Sequence, residues 1–510
     1  MTVMDTLQLL LHGFAVSLDP ARVFYCFLGV ALGTVVGVLP GLGPSATIAL
    51  LLPVTYRLDT VSAVIMLAGI YYGSQYGGST TAILVRIPGE SSSMVTCFDG
   101  YEMTRQGRAG PALGMAAIAS FIAGTAAVVG LVFVAPPLGR FALAFGPAEY
   151  FSLMVLGLTL VAYLGGESLL KALLMAVLGL LLATVGQDPV AGVERYTFDT
   201  LVLRDGIGLV PVFMGMFGIA EVLATMERPP DQQHLTAPTG LLPTRQDWRD
   251  SRWPIVRGTA VGFLLGILPG GGATIASIAS YVTEKRFARN RDRMGQGAIE
   301  GVAGPEASNN AAATGSFIPL LTLGIPANVV MAMMLAALTL HGIRPGPLLM
   351  QERPDLFWGV VTSMYLGNIM LLVLNLPLVG LFIQILRIPY PILAPLILLF
   401  CLVGAYSTSG QVADVFVMVC FGVLGYLMRK FKFEAAPLIL ALILGKPMEE
   451  SLRQALGISQ GSFAIFAARP IALTLLVGTA ASLTAPVVRW ARRKRNAGSA
   501  CAGGSTGVRF

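Results

Sequence analysis

Apolar residues form long, nearly uninterrupted stretches over most of the chain, and polar residues gather in the gaps between them. A membrane-spanning helix needs about 20 mainly apolar residues. We predict spans near 22–40, 112–135, 138–163, 168–186, 206–226, 255–268, 317–342, 356–386, 389–406, 411–428 and 462–486. Apolar pieces too short to cross comfortably lie at 43–56, 60–72, 77–88, 273–283 and 434–445. This mixture predicts an all-α polytopic membrane protein with broken or re-entrant helices.

A glycine-rich phrase occurs twice in the chain. "GVALGTVVGVLPGLG" starts at Gly29 and "GTAVGFLLGILPGGG" starts at Gly258, an offset of 229 residues. Downstream, an "IP" pair ending at Pro88 matches one ending at Pro326, and "RAGPAL" matches "RPGPLL". Landmarks that recur in the same order indicate two homologous halves. We expect these repeats to be inverted relative to each other, as in many secondary transporters.

The repeat divides the chain into five predicted regions. The two membrane repeats are joined by a polar, proline-rich linker that we expect to be an exposed loop. The first residues form a predicted amphipathic segment at the membrane interface, and the basic tail "RWARRKR" marks the cytoplasmic side. The boundaries are 1–21 for the interfacial segment, 22–226 and 255–486 for the repeats, 227–254 for the linker and 487–510 for the tail.

An "LPG" sequence interrupts each copy of the phrase. Proline removes a backbone donor, and glycine adopts conformations closed to other residues, so both predict a break in the helix. The helix after a break has N–H groups at its first turn that suit an anion, while unwound carbonyls suit a cation. We assign to these breaks and to the "IP" breaks Pro40, Gly41, Gly43, Pro88, Pro269, Gly270, Gly272 and Pro326, and to the following first turns Ser45, Thr47, Thr274 and Ser277.

Each half also carries a polar tract shortly before its "IP" pair, "YYGSQYGGSTT" (71–81) and "GPEASNNAAATGS" (304–316). We expect a second helix break at these tracts. Neutral hydroxyls and amides suit a carboxylate or phosphate group at membrane depth, where bare charges are costly. Hydrogen bonding between helices is the other role open to them. The candidates are Ser74, Gln75, Ser79, Thr80, Thr81, Asn309, Asn310, Thr314 and Ser316.

Two charged residues near these tracts are unusual. Arg86 directly precedes the first "IP" pair, where it could pair with an anionic substrate or extend to the membrane surface. Glu306 lies inside the second polar tract. Interfacial positions are expected for the other carboxylates at the ends of apolar stretches, Glu149, Glu167, Glu221 and Asp414.

Composition supports a membrane protein and excludes several activities. Of 510 residues 55% are hydrophobic and only 12% charged, and the net charge is +7, whereas soluble domains carry about 25% charged residues. The five cysteines and three histidines lack the spacing of a metal site or disulfide framework. No G-x-x-x-x-G-K-[ST] sequence for ATP binding is present. An intramembrane enzyme would need a nucleophile with a base, and the sequence offers no such set.

Five stretches together resemble the large membrane subunit of the tripartite tricarboxylate transporters: "GVLPGLGPSATIALLLP", "YYGSQYGGSTTAILVRIPGE", "DGYEMTRQGRAGPALG", "GILPGGGATIA" and "GVAGPEASNNAAATGSFIPLLTLGIP…HGIRPGP". The resemblance implies a secondary, ion-driven importer of organic anions in the bacterial inner membrane. It also implies a small membrane subunit and a periplasmic solute-binding protein as partners. Arg86, the sequence Ala327-Asn328-Val329 and Arg344 depart from the usual pattern of the family.

We therefore expect import of an organic di- or tricarboxylate, driven by a Na⁺ or H⁺ gradient, through a site near the middle of the membrane. No cofactor or metal is expected apart from the coupling ion, and no catalytic residue is assigned. An anion channel lined by the same breaks is the alternative, and an intramembrane enzyme is the least supported interpretation.

Overall fold

A computed structural model of the chain describes residues 3–39, 43–165, 168–188, 190–227, 240–385 and 390–484. Within these ranges regular structure is almost entirely helical. The exceptions are two short antiparallel strands, Gly186–Gln187 (β1) and Glu194–Arg195 (β2), with Gly186 opposite Arg195. The predicted all-α architecture is confirmed.

The first half of the chain contains ten α-helices in the described residues, and a π-helical segment, Met214–Ile219, joins the last two. Short 3₁₀ turns lie at Ser91–Ser93 and Leu201–Leu203. The helices are α1 (Val3–Ser17), α2 (Pro20–Val38), α3 (Pro44–Thr55), α4 (Thr60–Val85), α5 (Thr96–Arg105), α6 (Ala109–Ala142), α7 (Pro147–Gly165), α8 (Leu169–Ala183), α9 (Leu209–Phe213) and α10 (Ala220–Glu227).

The second half continues with thirteen α-helices in the described residues and a 3₁₀ turn at Arg291–Arg293. They are α11 (Arg245–Ile267), α12 (Gly272–Phe287), α13 (Glu300–Gly315), α14 (Phe317–Leu323), α15 (Val329–Leu340), α16 (Leu349–Glu352), α17 (Pro354–Asn375), α18 (Val379–Ile385), α19 (Tyr390–Ser409), α20 (Val412–Lys430), α21 (Ala435–Ile458), α22 (Ala464–Ala468) and α23 (Pro470–Thr484).

Seven helical segments of the described chain are long and apolar enough to cross a membrane. These segments are Pro20–Val38, Ala109–Ala142, Pro147–Leu164, Leu209–Glu227, Pro354–Asn375, Pro391–Ser409 and Val412–Lys430. Shorter apolar helices, among them α3 and α15, are too short to span by themselves. The combination of long and short apolar helices agrees with the predicted polytopic membrane protein.

The predicted break within the polar tract 71–81 is wrong. The piece 60–72 and most of the piece 77–88 belong to one continuous helix, α4, which runs through the tract to Val85 and is buried over nearly its whole length. The glycines of the tract serve close packing, because a Cβ atom on Gly77 would lie only 2.2 Å from the carbonyl oxygen of Thr34. The break comes later, between Arg86 and Glu90, where the "IP" pair lies.

Other boundaries also differ from the prediction, among them the span 356–386, which is divided between α17 and α18, and the piece 434–445, which belongs to the longer helix α21. Helix α6 continues through Pro136 and Pro137 and so joins the predicted span 112–135 to the start of the next one. The predicted span 317–342 is interrupted at Gly324, which has φ +71°. Helix α11 starts at Arg245, ten residues before the apolar stretch, because Thr244 and Asp247 form a capping box.

The predicted regions at the ends and in the middle of the chain are covered only in part. Residues 228–239 of the linker and 485–510, which include the tail, lie outside the described residues. The N-terminal segment forms α1, which packs against α17 where Gly13 meets the backbone of Trp358. The domain boundaries themselves stay predictions.

The same helix packing occurs in both halves. A Cβ atom on Gly33 of α2 would lie 2.4 Å from the carbonyl oxygen of Ile70, and one on Gly262 of α11 would lie 2.1 Å from that of Ser308. Such distances are possible only for glycine, so the glycine face of each first helix lies against α4 or α13. The other matching pairs are Gly29 with Met66, Gly37 with Ser74, Gly258 with Gly304 and Gly266 with Ala312. Inversion of one half relative to the other stays a prediction.

Candidate functional site

An open cavity of about 620 Å³ lies where broken segments from both halves meet. Its walls come from the start of α3, the middle of α4, the loop before α5, the starts of α12 and α15, and residues of the π-helical segment, α10 and α20. The lining residues are Gly43, Pro44, Ser45, Ala46, Tyr71, Gln75, Pro88, Gly89, Glu90, Ser91, Ser92, Met94, Phe217, Glu221, Gly272, Ala273, Thr274, Asn328, Val329, Val330 and Arg429.

The two halves contribute equivalent positions to this cavity. Ser45 and Thr274, which both line it, are separated by the repeat offset of 229 residues. Glu90 and Asn328 follow the two "IP" pairs at the same distance, with an offset of 238 residues. The cavity is therefore lined by positions that correspond in the two copies of the predicted repeat.

Three helices begin at the cavity wall. Helix α3 starts at Pro44 and α12 at Gly272, and neither has a side chain that caps its first N–H groups. Helix α15 starts at Val329, where the Asn328 side chain accepts a hydrogen bond from Met331 N at 3.0 Å. The uncapped N–H groups and the positive end of the helix dipole favour an anion at such positions.

Charged side chains also face the cavity. Arg429 of α20 pairs with Glu221 of α10 at one wall. On the other side, the Glu90 carboxylate accepts hydrogen bonds from Gln75 Nε2 at 3.1 Å and from Ser92 Oγ. Glu221, which we expected at the interface, thus lies at the candidate site, and the cavity offers both a cation and carboxylates.

A backbone hydrogen bond links the two breaks of the second half. Gly270 N–H donates a hydrogen bond to the carbonyl oxygen of Ala327 at 2.8 Å. Gly270 has φ +79°, and a Cβ atom there would lie 2.8 Å from the carbonyl oxygen of Leu160, so glycine is required for both conformation and space. The "LPG" break at Pro269 and the "IP" break at Pro326 therefore form one unit beside the cavity.

A residue with left-handed backbone lies two positions before the proline of each "IP" pair. Arg86 has φ +59° at the end of α4, and Gly324, which occupies the equivalent position 238 residues later, has φ +71° at the end of α14. The Arg86 side chain is exposed, and its guanidinium lies 5.8 Å from the centre of the Tyr101 ring. Arg86 does not line the cavity.

A second polar cluster lies behind the cavity around Glu306 of α13. The carboxylate is fully buried. Ser79 Oγ of α4 lies 2.5 Å from one of its oxygens, and Thr96 Oγ1 of α5 lies 2.5 Å from the other. Asn309 Nδ2 lies 3.3 Å away. Thr80 borders the same cluster, and the Asn310 amide donates hydrogen bonds to Glu306 O and Asn309 Oδ1.

Pro269, Gly270 and Pro326 lie in the unit beside the cavity, and the other described site residues that were predicted fall into three groups. The cavity contains Gly43, Ser45, Gln75, Pro88, Gly272 and Thr274. The Glu306 cluster contains Ser79, Thr80, Asn309 and Asn310. Apart from both are Thr47, Ser74, Thr81, Ser277 and Ser316, whose hydroxyls donate to carbonyls three or four residues earlier in their own helices, together with Thr314 and Arg86. Pro40 and Gly41 lie outside the described residues.

Sequence reasoning missed several residues of the cavity. Glu90 and Asn328 stand at matching positions two residues after the "IP" prolines, and this symmetry could have identified them. Tyr71 lies at the start of the polar tract, and its hydroxyl accepts a hydrogen bond from Asn328 Nδ2 at 3.2 Å. Arg429 belongs to an amphipathic helix end distant in sequence from every break, so no local pattern marks it.

The sequence model of one protein family, described as "Tripartite tricarboxylate transporter TctA family", matches residues 23–440. The chain belongs to the tripartite tricarboxylate transporter TctA family. The matched range contains both repeats of the glycine-rich phrase and every described residue of the cavity. The family assignment and the seven apolar helices together make the chain a multi-pass membrane component of a tricarboxylate transporter.

Two relatives from Agrobacterium vitis are similar to this chain. An "Uncharacterized 52.8 kDa protein in TAR-I ttuC' 3'region" is 49% identical over 495 residues, which cover 97% of this chain and 99% of the relative. An "Uncharacterized protein in TAR-II ttuC' 3'region" is 51% identical over 215 residues, which cover 42% of this chain and 89% of that relative. No solved structure matches the chain.

Proposed function

We propose that this chain is the large permease subunit of a secondary importer that moves an organic di- or tricarboxylate into the bacterial cell. The observation that carries the proposal is the cavity of about 620 Å³ formed by equivalent breaks of the two halves. The membership of the TctA family supports the class of substrate.

The chemistry of the cavity suits a carboxylate. The starts of α3, α12 and α15 present backbone N–H groups, Ser45 and Thr274 add hydroxyls, and Arg429 adds a positive charge. Neutral donors bind an anion without the desolvation cost of several bare cations. A volume of about 620 Å³ lies within the range of small-molecule sites, which is about 300–1,000 Å³.

We further propose that a Na⁺ or H⁺ gradient drives the transport and that the chain works in the inner membrane. Its proposed partners are a small membrane subunit and a periplasmic solute-binding protein that delivers the carboxylate. The chain is proposed to be a carrier and not an enzyme, because its family is a family of transporters.

Gly43 offers a direct test, since it lies at the cavity and a Cβ atom there would meet nothing within 4 Å. Its φ of −73° and ψ of 174° suit any residue before a proline. The variant Gly43→Leu should therefore fold normally while its side chain fills part of the cavity. We expect uptake to fall at least about tenfold, because a leucine side chain excludes the volume that the anion needs.

Uptake of labelled di- and tricarboxylates is measured in proteoliposomes with the small subunit, the binding protein and an imposed Na⁺ or pH gradient. Gly457→Leu is the matched control, because Gly457 is also free of neighbours but lies on the exposed end of α21. If Gly43→Leu took up carboxylate as fast as the wild type, the cavity would not be part of the transport path. Flux through the wild type that neither saturates nor needs a gradient would show a channel.

A further inference from the structure

Glu306 is completely buried and has no cationic partner among the described residues. None of the ion pairs among the described residues includes it, and its carboxylate contacts only neutral side chains. The contacts join the two halves, since Ser79 and Thr96 belong to the first repeat and Glu306 to the second. An ionised carboxylate in such surroundings must be neutralised, and a proton or a small cation is the usual way.

The hydrogen bonds of Ser79 are compatible with a proton on Glu306. Ser79 Oγ lies 2.5 Å from Glu306 Oε2 and 2.9 Å from the carbonyl oxygen of Gln75. A serine hydroxyl has one proton, and a carbonyl oxygen can only accept. When Ser79 donates to Gln75, as hydroxyls in helices commonly do, the short contact with Glu306 needs a proton on the carboxyl group. Both contacts are satisfied by the neutral acid.

We propose that Glu306 is the proton-binding site that couples carboxylate transport to a proton gradient. This inference rests on the proposed function. Glu306 binds a proton on the outer side of the membrane when the cavity binds the anion. The Glu306 side chain becomes ionised again when the proton leaves on the inner side. No bond of the transported molecule changes.

Two paths connect Glu306 to the cavity. Ser79 lies one helical turn after Gln75, which lines the cavity and donates to Glu90. Thr96 lies four residues after Ser92, which also lines the cavity and whose Oγ lies 2.7 Å from Gln75 Oε1. The side chains that face the transported anion and those that hold Glu306 therefore belong to the same two segments, so the charge of Glu306 acts on the wall of the site.

A small cavity of about 10 Å³ borders Glu306 and is the size of one water molecule. Besides Glu306, its lining combines the polar side chains of Tyr76, Ser79, Thr80, Ser120 and Asn375 with the apolar residues Leu113, Ala116 and Ala117. The Tyr76 hydroxyl and Asn375 Oδ1 are buried and form no hydrogen bond within the described structure. A water molecule in this cavity would lie beside the carboxyl group and these two unpartnered polar atoms.

The other carboxylates around α13 have surroundings different from those of Glu306. Asp99 accepts hydrogen bonds from Tyr281 and from three backbone N–H groups, and Glu284 forms an ion pair with Arg257. Glu90 faces the large cavity. The charged or titratable side chains that α4, the loop before α5, α5, α11 and α12 present near α13 are Tyr76, Glu90, Cys97, Asp99, Arg257, Tyr281 and Glu284, while α6 contributes Ser120.

The variant Glu306→Gln tests the proposal, because glutamine has the shape of the neutral acid but cannot release a proton. Proteoliposomes contain the full chain, the small subunit, excess binding protein and a pH-sensitive dye inside. The transported substrate in this assay is the di- or tricarboxylate that the wild type takes up fastest. We expect exchange of internal for external carboxylate to stay within about twofold of the wild type. Accumulation against a gradient should fall at least about tenfold, and the entry of protons with the carboxylate should be lost.

Glu300→Gln is the matched control on the same helix. Glu300 is also buried, but it accepts hydrogen bonds from Asn290 at the start of α13, away from the cavity. This variant should accumulate carboxylate and carry protons as the wild type does.

Each other outcome contradicts the proposal. Proton entry and accumulation at wild-type levels in Glu306→Gln would show that the proton binds elsewhere. Loss of exchange in a correctly inserted Glu306→Gln would give Glu306 a structural role or a role in binding the carboxylate. Wild-type uptake driven by Na⁺ without proton entry would overturn this inference alone, whereas a wild type that transports no carboxylate would overturn the proposed function.

Discussion

At the scale of single residues, Arg86 is the most informative position. Its backbone is left-handed, and the equivalent residue of the second half is a glycine, Gly324. Left-handed backbone costs a residue with a side chain roughly 1–2 kcal/mol compared with glycine. The cation–π contact with Tyr101 offsets part of this cost, about 0.5–1 kcal/mol at an exposed site. Arg86 is thus explained by local structure.

The variant Arg86→Gly should therefore be as stable as the wild type or up to about 1 kcal/mol more stable. Uptake should stay within about twofold, because the side chain does not line the cavity. Thermal unfolding in detergent and uptake in proteoliposomes measure the two effects. Arg86→Ala is the control: it keeps the strain and loses the contact with Tyr101, so it should be less stable. Loss of uptake in both variants would show that the Arg86 side chain takes part in binding the transported anion.

At the scale of elements, local sequence does not separate glycines that pack against a helix from glycines that break one. Glycines spaced four residues apart predict close helix packing, and the structure shows it in both halves. The tract at 71–81 was misread because glycine and serine also occur at breaks, and only the partner helix shows that Gly73 and Gly77 face α2. Local sequence does not contain that partner.

Substitution of the glycine faces should affect both halves alike. Gly33→Val and Gly262→Val each place side-chain atoms where a backbone carbonyl lies within 2.4 Å of the new Cβ. We expect each to lower the free energy of unfolding by about 1–3 kcal/mol, because the helices must move apart. Thermal unfolding in detergent measures the loss, with Gly457→Val as the exposed control. A large loss in one half alone would argue against equivalent packing.

At the scale of the whole molecule, the two halves matter because each contributes part of one cavity. Repeat analysis predicted that corresponding breaks would meet, and Gly43, Ser45, Gly272 and Thr274 do line one space. Glu221 and Arg429 could not be predicted, since they reach the cavity only through the packing of α10 and α20, and no repeated signal marks them. Symmetry therefore identified the core of the candidate site, and tertiary packing supplied the rest.

The most direct test of the shared cavity is protection of Ser45→Cys and Thr274→Cys from a water-soluble thiol reagent. The two cysteines are introduced separately into a version of the chain with Cys420→Ser and Cys501→Ser, in which Cys26, Cys97 and Cys401 remain buried. Gly457→Cys is the control far from the cavity. We predict that a transported carboxylate slows modification at both cavity positions at least about fivefold and leaves position 457 unchanged. Protection of only one position, or of neither, by a carboxylate that is still transported would contradict a single site built by both halves.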